Sequence, residues 1–175
     1  MDSEQERTIK ALEQAIQMEK DGREFYLKAS RESGNEMGRK LLESLAMEEE
    51  IHQKTFLEIY NALKAKKGWP TVDFKPDGGR GLRTVFAEVM AVNAASDVKV
   101  KNTELSAVET AMDLENKTYD YYQARSDEAE SPPEQEFYDS LAMQEREHYL
   151  ILLDYYEYLK DPGGWFVNKE HPSLD

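Results

Sequence analysis

Two Glu-x-x-His triplets stand 96 positions apart in this chain, Glu49 with His52 and Glu145 with His148. The chain has 3 histidines, and two of them fall here. The same offset carries a lone glutamate, Glu19, onto another, Glu115. Residues three apart on a helix share a face, so each triplet can aim one carboxylate and one imidazole at a common point. Two copies of the pattern supply four carboxylates and two imidazoles, the donor set of a two-metal carboxylate centre in a four-helix bundle.

The repeat extends beyond the ligand types. Ser44-Leu45-Ala46-Met47 precedes the first triplet and Ser140-Leu141-Ala142-Met143 the second. At the same offset Ala11, Ala15, Tyr26, Leu57 and Tyr60 meet Ala107, Ala111, Tyr122, Leu153 and Tyr156. A helical hairpin has been duplicated with both ligand sets kept.

Two divalent ions would bring four positive charges to four carboxylates, giving the near-neutral site that a buried centre needs. Each metal would take one histidine, one terminal glutamate and shared bridging glutamates. Mixed oxygen and imidazole donors suit iron or manganese, and zinc binds such sites well; the spacing does not choose among them. Glu48 and Gln144 each precede a ligand glutamate. Each is placed to accept a hydrogen bond from the outer nitrogen of the histidine on the other hairpin, or to be a polar residue on a helix flank. Tyr26 and Tyr122 lie two turns after the lone glutamates on the same face. They either bond ligand carboxylates, or pass an electron, or are core tyrosines with satisfied hydroxyls. Tyr119, Tyr121 and Tyr155 read as packing residues. Met18, Met47, Met112 and Met143 read as core filler, and His171 as a solvated tail residue.

The formal net charge of -14 argues against nucleic acid and against anionic membrane surfaces. It suits a solvated surface, and it also draws cations. The chain has 0 cysteines, which excludes disulfides, iron–sulfur clusters, thiolate zinc sites and thiol nucleophiles. The polar N-terminus is unlike a signal peptide, and no apolar run approaches a membrane span. A cytoplasmic location is the expectation.

Four long helices must position the six ligands. The first runs from a possible capping box at Ser3 and Glu6 along an apolar stripe of Ile9, Leu12, Ile16, Met18, Phe25, Tyr26 and Ala29, until Gly34-Asn35 breaks it. The second spans about 35–66, with Leu41, Leu42, Leu45, Ala46, Phe56, Leu57, Tyr60 and Leu63 inward, and Gly68-Trp69-Pro70 stopping it. Residues 68–102 read as a long crossover carrying a short helix over 82–91. The third helix spans about 103–129. The fourth opens at a Ser131-Pro-Pro-Glu134 capping box and ends near Lys160. The expected architecture is one all-α domain over residues 1–160, two hairpins joined by a crossover, with a tail at 161–175.

Ala15-Ile16-Gln17-Met18-Glu19-x-x-Gly22-x-x-Phe25-Tyr26, Leu45-Ala46-x-x-x-Glu49-x-x-His52 and their second-half copies resemble the ferritin-like superfamily, and within it the rubrerythrin-like proteins. The resemblance covers about residues 8–160. It implies a ferritin-like bundle holding two iron ions that react with hydrogen peroxide or dioxygen. Rubrerythrins are peroxide reductases that act in oxidative stress, and ferritins oxidise Fe(II) with a similar centre. Two departures stand out. Rubrerythrins carry a further ligand glutamate one turn after the lone glutamate of the third helix, where this chain has Thr118. They also carry a four-cysteine rubredoxin domain, and this chain has no cysteine. Against a storage ferritin, no long fifth helix follows the fourth. The resemblance therefore points to peroxide or dioxygen reduction with electrons from a separate donor, such as a rubredoxin-type protein, in a homo-oligomer, expected as a dimer. The alternatives are a protein that oxidises or buffers Fe(II) without turnover, and more remotely a hydroxylase of an organic substrate.

Overall fold

The computed structural model describes residues 3–93 and 102–165. Its helices are α1 (Ser3–Glu32), α2 (Glu36–Lys64), α3 (Arg80–Asn93), α4 (Asn102–Asp127) and α5 (Pro132–Lys160). Among the described residues there is no strand, and no helix is long and apolar enough to cross a membrane. Helices α1 and α2 form one hairpin and α4 and α5 the other. The crossover lays α3 against α2 and α5.

The turn between α1 and α2 is set by Asn35. Its extended backbone and its side chain, which accepts from the Gly38 amide at 2.7 Å, cap α2. Glu104, at the start of α4, ties this turn to the other hairpin. Its carboxylate accepts from Ser33 Oγ at 2.6 Å, Asn35 Nδ2 at 2.9 Å and Tyr155 OH at 2.7 Å.

Some helix ends and inward faces differ from expectation. Gly68 does not end α2. The chain turns at Lys66 (φ 57°), with Lys67 N bonding Ala62 O and Lys66 N bonding Leu63 O, both at 3.0 Å. This is the paired-bond helix stop in which glycine usually holds the left-handed position. The Ser131 box is also not formed. Ser131 is extended as an N-cap should be, but its side chain caps nothing, and Glu134 reaches past it to the Glu130 amide at 3.2 Å. The side chain of Ser3, and His171 in the tail, lie outside the described residues. Leu57, Met47 and Met143 were expected inside and are exposed, the two methionines by 66% and 69%. The buried stripe is narrow, and each of these side chains falls one position off it.

Two apolar clusters fill the bundle. One gathers Tyr26, Leu41, Leu45, Ala111, Leu152 and Tyr155, and α3 adds Leu82 and Phe86 to it. The other gathers Leu12, Ala15, Phe56, Ile59, Tyr122, Phe137 and Tyr138. Buried carboxylates and imidazoles lie among these clusters, where only pairing or metal coordination makes burial tolerable.

Candidate metal centre

The six residues of the repeat meet in the bundle. Glu19, Glu145, His52 and His148 are fully buried, and Glu49 and Glu115 nearly so. Their donor atoms form two groups, each within 4.8 Å: Glu19, Glu49, His52 and Glu145, then Glu49, Glu115, Glu145 and His148. Glu49 and Glu145 belong to both groups, which is the placement of bridging carboxylates. Glu19 with His52, and Glu115 with His148, belong to one each. The helix interior supplies this register. Each triplet occupies one turn of α2 or α5, and each lone glutamate faces it from α1 or α4.

The contacts obey the two-fold relation of the repeat. Tyr26 OH donates to Glu115 Oε1, and Tyr122 OH donates to Glu19 Oε1. Behind the histidines, His52 Nε2 lies 3.0 Å from Gln144 Oε1, and His148 Nε2 lies 2.9 Å from Glu48 Oε2. In both pairs the residue numbers rise on one helix as they fall on the other, so α1 runs antiparallel to α4 and α2 to α5. Gln144 Nε2 also donates to Glu48 at 2.8 Å. An acceptor at each Nε2 favours the tautomer with its proton there, and leaves Nδ1 facing the carboxylates. The two imidazoles stack at 5.7 Å, tilted by 11°.

Whether this set fits a metal can be judged from its orphaned atoms. Glu49 Oε1, Glu115 Oε2, both Glu145 oxygens and His148 Nδ1 are buried without a well-formed hydrogen bond among the described residues; the nearest contacts are long ones within the cluster, His148 Nδ1 at 3.3 Å from Glu49 Oε1 and 3.5 Å from Glu115 Oε2, and His52 Nδ1 at 3.3 Å from Glu145 Oε1. Five orphans converging in one place is far more than a native core tolerates. All are hard oxygen or imidazole donors aimed at a common space, and divalent cations satisfy such a set. The chain thus presents a buried glutamate and histidine cluster suited to metal ions.

Electrostatics agree. Burial, with Glu19 and Glu145 close by, pushes Glu49 well above the usual carboxylate range. Burial, with Glu115 and Glu19 close by, does the same to Glu145. Burial would also raise Glu115, but His148 beside it holds it below its ordinary value. Burial opposes a proton on His52, yet Glu19 at 3.0 Å outweighs this and carries the imidazole up to about 9. His148 is raised for the same reason by Glu115, again against burial. The cluster attracts positive charge, and protons compete there with metal ions.

A family model described as Rubrerythrin matches residues 10–156. The chain belongs to the rubrerythrin family. The matched span takes in both hairpins and every residue of the cluster, so the bundle is a ferritin-like one. Comparison with curated proteins and with solved structures gives no match.

Two neighbours of the cluster have roles that a sequence reading does not give, although Gly22 stands in the motif quoted above. Phe74, in the crossover, packs edge-on against His52 at 5.6 Å and against Phe137 at 5.5 Å, closing one side of the site. It sits in an irregular stretch with no periodicity to mark it. Gly22 lies one turn after Glu19, and a Cβ there would sit 2.9 Å from Glu49 Oε2. The missing side chain makes room for the bridging carboxylate. The repeat gives a signal in hindsight, since the residue 96 positions on from Gly22 is Thr118.

Proposed function

We propose that this chain is a di-iron member of its family that reduces hydrogen peroxide to water, drawing electrons from a separate donor protein. The observation that carries the reading is the convergence of five orphaned buried donor atoms from both hairpins, with two carboxylates shared between the two groups. Glu19 and His52 would hold one iron, Glu115 and His148 the other, and Glu49 and Glu145 both. When bound, the iron pair supplies the electrons that cleave an oxygen–oxygen bond.

The chain's own residues set the conditions for that chemistry. Burial of all six ligands keeps bulk water out and strengthens each electrostatic contact. Tyr26 and Tyr122 hold Glu115 and Glu19 in place through their hydroxyls. Glu48 is half-buried and bonds the outer nitrogen of His148, so it links the centre's edge to solvent. Burial disfavours its charge, but the His148 bond more than compensates and keeps it ionised. These 175 residues contain no cysteine, so no thiolate iron site lies within them.

The test is anaerobic stopped-flow oxidation of the reduced iron form by peroxide and by dioxygen at matched concentration. The reading expects peroxide to react at least about tenfold faster, a barrier difference of about 1.4 kcal/mol, and to turn over when a rubredoxin and its reductase are added. A preference for dioxygen, or a single stoichiometric oxidation with mineral growth in excess Fe(II), would replace it with the iron-oxidising alternative.

A further inference from the structure

Among the four long helices, the neighbouring pair α2 and α5 packs least closely. The crossover lies over the gap between them. Before α3 begins, residues 69–76 cross this gap as a strap without helix or strand. Trp69, Val72 and Phe74 are half-buried against the apolar cluster of Phe56 and Phe137, while Thr71, Asp73 and Lys75 are exposed. Phe74 spans the gap, touching His52 of α2 on one side and Phe137 of α5 on the other.

The strap is held by side chains alone. Firm anchors stand at its two ends. Lys67 N bonds Ala62 O at 3.0 Å where α2 closes, and Asp77 caps α3, its Oδ2 accepting from Gly81 N at 2.7 Å. Between these anchors, among the described residues, no hydrogen bond ties the backbone to the bundle. The Asp73–Lys75 ion pair, 3.6 Å long and almost fully exposed, lies within the strap and holds it to nothing. Gly68 sits at φ 74°, and a Cβ there would meet open space, so its backbone freedom is what the position uses. A segment with few buried contacts and no bonded backbone opens locally at low cost, and such segments make lids.

Outside the strap is a groove of about 380 Å³, with Trp69, Phe74, Pro133 and Phe137 among its walls. Inside it His52 is fully buried. Phe74 stands between the two. The other histidine meets solvent differently: His148 bonds Glu48, whose side chain is 18% exposed. The centre therefore has an ionic edge at Glu48 and an apolar one at Phe74. An uncharged molecule crosses an apolar edge far more easily than an ion does.

We propose that the strap is a lid and Phe74 its gate: hydrogen peroxide enters from the groove past Phe74 to the His52 side, and the ring holds back ions and larger peroxides. The gate rests on the peroxide reading above and adds to it a route and a size limit. Opening swings Phe74 off His52 and breaks no backbone hydrogen bond; the burial of Trp69, Val72 and Phe74 draws the strap back. A wider molecule needs a wider swing, which exposes more apolar surface, so the smallest peroxide is favoured.

The first arm of the test uses the metal-free chain and depends on neither iron nor peroxide. Diethylpyrocarbonate is uncharged and acylates imidazoles, and peptide mass spectrometry follows His52 and His148 separately. Phe74→Ala should speed modification of His52 about tenfold and leave that of His148 nearly unchanged. The Thr71→Cys, Ser140→Cys double variant puts the only two thiols of the chain on the strap and on α5, in the walls of one groove. Bridged by a short bismaleimide, it should modify at His52 about tenfold more slowly than the same variant capped with N-ethylmaleimide. Equal rates in the bridged and capped forms overturn the lid, whether or not Phe74→Ala folds. A parallel rise at both histidines in Phe74→Ala overturns the gate, because it marks general loosening. The second arm follows oxidation of the reduced iron-loaded protein by hydrogen peroxide and by tert-butyl hydroperoxide in stopped flow. Phe74→Ala should shift the ratio of the two rates about tenfold toward the larger peroxide, and an unchanged ratio overturns the size limit. If hydrogen peroxide fails to oxidise the wild-type iron, the peroxide reading falls instead, and the histidine arm still decides the lid.

Discussion

Replacing Gly22 with alanine should move two measurable quantities in opposite directions. The new Cβ would stand 2.9 Å from Glu49 Oε2 and 3.6 Å from its Cδ, short of ordinary contact by about 0.5 Å. In the metal-free chain the far end of a flexible glutamate can swing that distance cheaply. Alanine is also the better helix former inside α1, so the metal-free protein should gain about 0.5–1 kcal/mol. For a chain of this size that is a rise in Tm of about 1–4 °C. With metal bound, Glu49 would be a pinned bridge, and ligand distances tolerate only about 0.2 Å. Its displacement should then weaken metal binding about 10–100-fold, or about 1.4–2.8 kcal/mol. Calorimetric melting in chelator and competitive metal titration give the two values. Thr118→Ala is the control at the matching place on α4, where the hydroxyl bonds Leu114 O at 2.6 Å, and should change affinity much less. Unchanged affinity in Gly22→Ala would refute the bridging role of Glu49. A lower metal-free Tm would show that the backbone, rather than the carboxylate, has to move.

Three further outcomes follow from the same geometry. Protonated His52 stabilises the metal-free fold below its ordinary 6.5, and this contribution fades as pH rises through about 9; Glu49 and Glu145, both raised by burial first, add a penalty of the same sign as they ionise. Metal binding releases those protons, so the Tm gap between metal-loaded and chelated protein should widen from pH 6 toward pH 9, and a constant or narrowing gap would contradict the assignment. Gln144→Leu removes the acceptor at 3.0 Å from His52 Nε2 and should lower metal affinity about 10–100-fold with little loss of helix, as read by competitive titration and circular dichroism. Glu104→Ala strips the acceptor shared by Ser33, Asn35 and Tyr155 and should cost about 3 kcal/mol in denaturant unfolding, while leaving metal stoichiometry unchanged.

Much of the centre was legible because its grammar is local. Glu-x-x-His places two donors on one helical turn whatever the rest of the fold does, and the repeat supplied the partners of each triplet. The long helices were legible from their apolar periods. What escaped depends on contacts that no local pattern carries. The stop at Lys66 uses a left-handed lysine where glycine would be the sign. Met47 lies two positions beyond the buried Leu45, and only the packed bundle decides which face of α2 is covered. Phe74 reaches His52 from a stretch without period.

The two-fold arrangement of the donors makes the molecule a dimer written on one strand. Each hairpin brings one lone glutamate, one triplet, one tyrosine and one acceptor for the other's histidine, and neither holds a complete set for even one ion. The interface is isologous, as between two identical subunits. Ions placed there would join four helices at once and act as an inter-hairpin rivet. Tight metal uptake can then begin only once the two halves have docked, so loading the centre doubles as a check that the chain has finished folding.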